Sequence, residues 1–208
     1  MVTLAALYSN ASLALNSIGG TDADYDSAFI KVSPTTVITS AETMLRFQKE
    51  KTAASFGMLS KVKYALRARA LSAGRLNRAR TTLGPRLIYI STGIGSQSAH
   101  LTYKQLNDVR LLTGSRTVYA LTAANVAGAI TQTNAFDYRI TDYPSEPSHF
   151  GAPLSSIELK LVDTATSKIA DDRDPCGHIV VSGPAVVGGE INLGVMGRIR
   201  DDNTLTLV

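Results

Sequence analysis

The sequence predicts an α/β fold in which a parallel β-sheet with flanking helices is followed by an antiparallel β region. Three observations predict it. The run RLIYIS, Arg86 to Ser91, is apolar without alternation, the pattern of a strand buried on both faces. A glycine-rich loop, a helix-spaced segment and a second apolar run, TVYAL, follow in the order of a βαβ unit. Beyond Pro144 apolar and polar residues alternate, the pattern of half-buried antiparallel strands. Residues 1–145 are therefore read as an α/β subdomain and 146–208 as a β-rich subdomain.

Taken in order, MVTLAALYSNASLALNSIGG carries no charge before Asp22. It lacks the basic start and unbroken apolar run of a signal peptide. Serines and asparagines interrupt it, so it is not the spanning helix of about 20 apolar residues either. A buried helix or strand is expected there. SAFIKVSPTTVIT, residues 27–39, reads as a loop entering a buried strand behind Pro34. Ser40 is placed to cap a helix containing Glu42, Met44, Leu45, Phe47 and Glu50. Met58 to Arg80 reads as a basic amphipathic helix with Leu59, Val62 and Leu66 on one stripe, broken near Gly74. Gly84-Pro85 ends it. After RLIYIS, Leu101 to Leu112 has helical spacing with Gly114 just past its end. IELKLVD and HIVVSGP read as strands around a polar turn, TATSKIADDRDPCG. VMGRIRDDNTLTLV reads as a hairpin turning at Asp201-Asp202-Asn203.

Composition narrows the function classes. The 208 residues are 44% apolar and 18% charged, a globular balance with enough chain for a sizeable core. The single cysteine, Cys176, excludes an internal disulfide, and with three scattered histidines no zinc-ligand spacing exists. The net charge of +4 hides an asymmetry: no Asp or Glu lies between Lys51 and Asn107. Lys51, Lys61, Lys63, Arg67, Arg69, Arg75, Arg78, Arg80, Arg86 and Lys104 are all basic. Such a block suits an anionic membrane face through residues 51–104, or simply a solvated helix face. Nucleic acid is not expected, because stacking aromatics are few there: Phe56, Tyr64, Tyr89 and Tyr103.

The loop TGIGSQS offers backbone N–H groups to an anion, and ligands of open α/β sheets bind beyond the strand carboxyl ends. By that rule this loop and the one after Tyr119 face one crevice. Neither a Gly-Lys-Ser/Thr nor a complete G-x-G-x-x-G follows, and Ser96, Ser98 and His100 lack a G-x-S-x-G setting, so a plain turn is the favoured reading of the loop alone.

Together the pieces resemble the AMP-forming acyl-CoA synthetases. PTTVITSAETMLRFQKE is similar to their "PT-x-x-x-x-V-P" strand and helix, and RLIYISTGIGS falls where that family has its "G-G-A-P-L" adenine-side loop. VYALTA stands in the place of "Y-G-x-T-E". FGAPLSSIELKLVD with PCGHIVVSGPAVVGG resembles "G-x-P-x-P-x-x-E-x-K-[LI]-V-D … P-x-G-E-[IL]-x-[VI]-x-G-P", the most specific match. LGVMGRIRDDNTLTLV resembles "T-G-D-[IL]-G-R-x-x-x-D-G-x-L". The resemblance runs from about residue 30 to the end.

This resemblance implies the C-terminal half of an adenylation domain, its antiparallel region small and β-barrel-like, which uses ATP to convert a carboxylate to an acyl-adenylate before transfer to coenzyme A. It implies nucleotide-side positions at Ser91, Thr92, Gly93, Tyr119, Ala120, Leu121 and Thr122, with ATP or AMP as ligand. It also exposes departures. Ala123 replaces the Mg²⁺-holding glutamate, Val195 the ribose-binding aspartate and His178 the glutamate of "P-x-G-E". The phosphate loop is expected upstream of this chain and the lysine-bearing domain downstream of it. Mg²⁺ is therefore not expected to be held by this chain, no catalytic residue is assigned, and a partial domain, catalytically incomplete alone, is expected. The alternative is a non-catalytic nucleotide- or acyl-binding or membrane-docking module. The implied location is cytoplasmic or peripheral on an intracellular membrane, not secreted. An uncovered sheet would leave apolar surface exposed, which predicts a poorly soluble or oligomeric product.

Overall fold

The computed structural model describes residues 2–9, 11–15, 33–54, 58–76, 84–95, 100–139, 144–163, 169 and 175–208. Strands β1 (Thr36–Ser40), β2 (Leu87–Gly93) and β3 (Arg116–Thr122) pair in parallel. Two antiparallel strands, β4 (Ala129–Gln132) and β5 (Ala152–Pro153), extend the sheet in the order β1-β2-β3-β4-β5. A second sheet is wholly antiparallel: β6 (Glu158–Val162), β7 (Cys176–Ser182), β8 (Glu190–Ile199) and β9 (Leu205–Leu207), in sequential order. The helices are α1 (Val2–Tyr8), α2 (Ala41–Ala54), α3 (Met58–Ser72) and α4 (Tyr103–Thr113). The α/β class, the parallel unit and the later antiparallel region thus follow the sequence reading; β4 and β5 are additions to it.

Local chemistry starts and stops the helices where expected. The Ser40 hydroxyl accepts the Thr43 amide at 3.3 Å, capping α2. Thr102 and Gln105 form a reciprocal capping box at the start of α4, and Gly114, at φ 64°, closes it in the left-handed conformation. Gly74, at φ 73°, follows the end of α3; the expected continuation to Arg80 runs into residues outside the described set.

One hydrophobic core cluster joins the helices, the first sheet and the second sheet. Ala41, Met44 and Phe47 of α2, with Leu106 and Val109 of α4, cover Ile88, Ile90, Tyr119 and Leu121. Three helices meet at the buried Asp108 carboxylate. It accepts Gln48 Nε2 at 2.8 Å, Lys104 Nζ at 3.0 Å and the Tyr64 hydroxyl. These bonds satisfy a carboxylate that burial would otherwise penalise.

Four expectations are corrected. The strand read as RLIYIS is not buried on both faces: Ile88, Ile90 and Thr92 are buried, while Leu87, Tyr89, Ser91 and Gly93 are half-buried. α2 packs on β1 and β2 from one side only, so pleating restores an alternation that composition concealed. β1 is an edge strand rather than a buried one, with Ile38 49% exposed. Among the described residues of the N-terminal segment, the seven-residue α1 is not buried: Leu4 is 66% and Tyr8 94% exposed. Finally, the stripe of α3 is uncovered: Val62 and Leu66 are exposed, while Leu71 is buried and the half-exposed Tyr64 reaches Asp108 from the opposite side; the Leu59 side chain lies outside the described residues.

Candidate functional site

The seven candidate residues at the ends of the two central strands come together. Ser91 pairs with Ala120, Thr92 with Leu121 and Gly93 with Thr122, and Tyr119 stands one place earlier, beside Ile90. Parallel pairing carries the carboxyl ends of β2 and β3 to the same edge, which sequence order alone could only suggest. Ile94 N–H donates to the Thr122 carbonyl at 2.8 Å, and the Thr122 hydroxyl donates to the Thr92 carbonyl at 3.1 Å. The edge is thus bonded beyond the last ladder pair.

Burial divides the set. Thr92, Tyr119, Ala120 and Leu121 are buried, whereas Ser91, Gly93 and Thr122 are half-buried. Tyr119 is fixed at every polar atom. Its amide donates to Thr133 Oγ1 at 2.8 Å and its carbonyl accepts the Thr133 amide at 2.9 Å. Its hydroxyl accepts the Leu101 amide and the Thr92 hydroxyl, each at 3.1 Å. The ring stacks on Phe150 with centroids 4.6 Å apart, and Phe150 in turn meets His100 edge-on at 5.8 Å. Burial pushes the phenol pKa up against the lowering effect of its two hydrogen-bond donors, so it stays protonated at neutral pH. Tyr119 is an organiser of the strand edge, with no free face for a ligand.

The second sheet borders this edge. Val126 bridges Val186, Ala127 N–H donates to the Ala185 carbonyl at 2.8 Å, and Val187 N–H to the Asn125 carbonyl at 2.9 Å. The loop after β3 is therefore tied to the turn between β7 and β8. Ala123 and Val195, the two positions without their expected carboxylates, are partly buried against the core. Among the described residues no group of three or more His, Cys, Asp or Glu side chains is placed to hold a metal ion. No described helix is long and apolar enough to cross a membrane. Ser96 and Ser98 lie outside the described residues.

A charged cluster lies where the sequence raised no expectation. Asp137 accepts His149 Nε2 at 3.2 Å and Arg139 at 2.7 to 3.1 Å, and Arg139 also pairs with Asp202 of the β8–β9 turn. Burial alone would raise the Asp137 pKa; bonds and charges from His149 and Arg139 outweigh it and hold the carboxyl well below its usual range. His149 Nδ1 accepts the Gly151 amide at 3.0 Å, so both ring nitrogens are engaged. Thr133, His149 and Asp137 were missed because none sits in a recognisable motif, and Phe150, although it opens the FGAPLSSIELKLVD match, is apolar and carries no mark of a role at the strand edge.

No protein-family model and no curated protein matches the sequence. Solved structures do. The unliganded o-succinylbenzoate coenzyme A synthetase of Bacillus subtilis matches with a TM-score of 0.62 and 13% identity, over 100% of this chain and 38% of that one. An anthranilate CoA ligase in complex with anthranoyl-AMP matches at 0.58 and 14%, over 95% and 34%. A mutant coronafacic acid ligase from Pectobacterium brasiliense matches at 0.59 and 14%, over 99% and 35%. The Bacillus enzyme is also seen with ATP and magnesium and with AMP. At such low identities the likeness shows the fold alone: this chain has the fold of part of an adenylate-forming CoA ligase, and spans 34–38% of the length of those enzymes.

Proposed function

We propose that this chain is a partial AMP-dependent carboxylate–CoA ligase-like adenylation domain that is catalytically incomplete by itself and supplies the adenine-side wall of a nucleotide crevice. Residues 1–145 form the α/β part with that wall, and 146–208 the β-rich part beside it. The observation that carries the reading is the bonded edge of β2 and β3, closed on one side by the turn between β7 and β8. In this reading Ser91, Gly93 and Thr122 meet ATP or AMP, being the half-buried members of the edge. Thr92, Tyr119, Ala120 and Leu121 act by holding it in shape.

Incomplete catalysis is supported by Ala123 and Val195. A site that forms an acyl-adenylate must stabilise charge developing on phosphate, and losing one such group costs roughly two to three orders of magnitude in rate. Two apolar side chains at those positions offer neither a metal ligand nor a ribose acceptor. Pyrophosphate exchange with ATP and fatty acids is expected to be silent, while calorimetry detects AMP. Exchange above background overturns incompleteness, and no heat with ATP, AMP or an acyl-AMP mimic on folded protein overturns the retained wall.

A second reading, docking on an anionic membrane from the cytoplasmic side, is favoured by a separate observation: the outward face of α3 is both apolar and basic. It requires no nucleotide.

A further inference from the structure

His149 is buried, with its Nε2 3.2 Å from the Asp137 carboxylate and its Nδ1 accepting the Gly151 amide at 3.0 Å. A backbone amide can only donate, so Nδ1 presents a lone pair and the ring proton sits on Nε2. The two partners thereby assign one neutral tautomer. The lone pair on Nδ1 matters beyond the ring. Gly151 stands at φ 78°, and a Cβ there would run into the Gln132 carbonyl, so its backbone occupies a place that no side chain fits. Its carbonyl accepts the Leu205 amide at 2.9 Å, and the Phe150 amide donates to the Leu205 carbonyl at 2.7 Å. These two bonds tie the segment before β5 to β9 of the second sheet. The Phe150 ring meanwhile stacks on Tyr119 of β3, with centroids 4.6 Å apart. One imidazole lone pair thus anchors the segment on which both sheets and the Tyr119 ring converge.

We propose that His149 is a proton-operated latch on this joint: a proton taken up at Nδ1 releases the Gly151 amide and loosens the contacts that Gly151 and Phe150 make with Leu205 and Tyr119. Protonation leaves Nδ1–H and the Gly151 N–H as two donors facing each other, with no acceptor between them. The ring is the better held of the two, because an imidazolium is drawn more strongly to Asp137. The backbone at Gly151 is therefore what gives way. Groups from three elements surround the ring. Asp137 and Arg139, bonded to each other, follow β4, and Arg139 also pairs with Asp202 of the β8–β9 turn. Tyr103, at the start of α4, has its ring centroid 5.8 Å from the imidazole, and its hydroxyl accepts Arg200, which pairs with Glu146. The buried Arg110 of α4 lies near enough to Asp137 to feel its charge. Burial favours a neutral Asp137, but bonds and charges from His149 and Arg139 outweigh it, so the carboxylate persists in mild acid. His100, edge-on to Phe150 at 5.8 Å, is the other imidazole beside the joint and has to be controlled for. The latch concerns the joint alone and does not rest on the nucleotide reading.

Nitrogen-15 NMR of the full chain, titrated from about pH 8 to about pH 5, tests this over the range in which histidines ordinarily change charge. At the alkaline end the His149 ring is expected to carry its proton on Nε2. On acidification, protonation of Nδ1 and the shift of the Gly151 amide are expected to share one midpoint. Over the same step the Leu205 amide is expected to exchange about ten-fold faster relative to the amides of β2, once the intrinsic pH dependence of exchange is removed. His149→Asn places an acceptor that does not titrate near the Nδ1 position, so it should keep the Gly151 bond and lose the response. His100→Gln should leave the response intact. A proton on Nδ1 at the alkaline end overturns the proposal, as does a ring that takes up a proton while Gly151 and Leu205 stay unmoved. A ring that stays neutral until the whole chain unfolds in acid also overturns it, and so does a response that survives in folded His149→Asn or vanishes in His100→Gln. If His149→Asn does not fold, the wild-type titration decides alone.

Discussion

Tyr119 concentrates the residue-scale chemistry of the strand edge. Its ring fills the space above Phe150, while its hydroxyl takes an amide from Leu101 and a hydroxyl from Thr92. Stacking would survive Tyr119→Phe, but the Leu101 amide and Thr92 hydroxyl would be left without their acceptor in a water-free site. Unsatisfied buried donors cost about 1–3 kcal/mol, and urea unfolding is expected to register a loss of that size. A variant as stable as wild type would mean that the two donors find other partners. The uncharged character of TVYALTA is explained at this scale too: its residues are neutral because most of them are interior.

Among the elements, α4 carries the clearest sequence instructions. Thr102 Oγ1 accepts the Gln105 amide at 3.2 Å, and Gln105 Oε1 accepts the Thr102 amide at 2.9 Å. Thr102→Ala removes one half of the box and is expected to cost about 1 kcal/mol, whereas Thr102→Ser should be close to neutral. Thermal melts of the two variants side by side check this; equal destabilisation by both would point to packing of the threonine methyl instead. The helix matters beyond itself, because it presents Asp108 to α2 and α3 and Leu106 and Val109 to the sheet. α3 shows the opposite case. Its period is helical in sequence, but which side turns inward depends on a tyrosine reaching a carboxylate 44 residues away.

For the whole molecule, the joint between the sheets is partly electrostatic. Asp137, Arg139 and His149 beside the first sheet connect through Asp202 to the β8–β9 turn, and Arg200 donates to the Tyr103 hydroxyl at 2.9 Å. The Asp137 pKa is lower folded than unfolded, so its contribution to stability is present above the unfolded value of about 3.8 and lost as pH falls through the folded value. Asp137→Asn should therefore be less stable than wild type at neutral pH, with the gap narrowing in acid. Urea unfolding at pH 7 and at pH 3 measures it; a gap that widens on acidification would refute the assignment. The same joint pairs backbone with backbone, Phe150 N–H to the Leu205 carbonyl at 2.7 Å and Leu205 N–H to the Gly151 carbonyl at 2.9 Å.

Composition and local pattern by themselves determined that β1 to β3, β6 to β9 and α2 to α4 form, where α2 begins and α4 ends, and the order strand, loop, helix, strand that forces a crossover connection. These are short-range matters, settled by torsional preference and capping bonds within a few residues. Tertiary structure alone decided which side of β2 is covered, that α3 leaves Val62 and Leu66 exposed, that Phe150 and Thr133 close on Tyr119, and that Asp137 pairs with His149. Each depends on contacts between residues distant in the chain, and no local period encodes which neighbour arrives. The candidate positions could be read because parallel pairing obliges the ends of β2 and β3 to coincide. Their division into buried supports and half-buried contacts could not, since it follows from which face the helices cover.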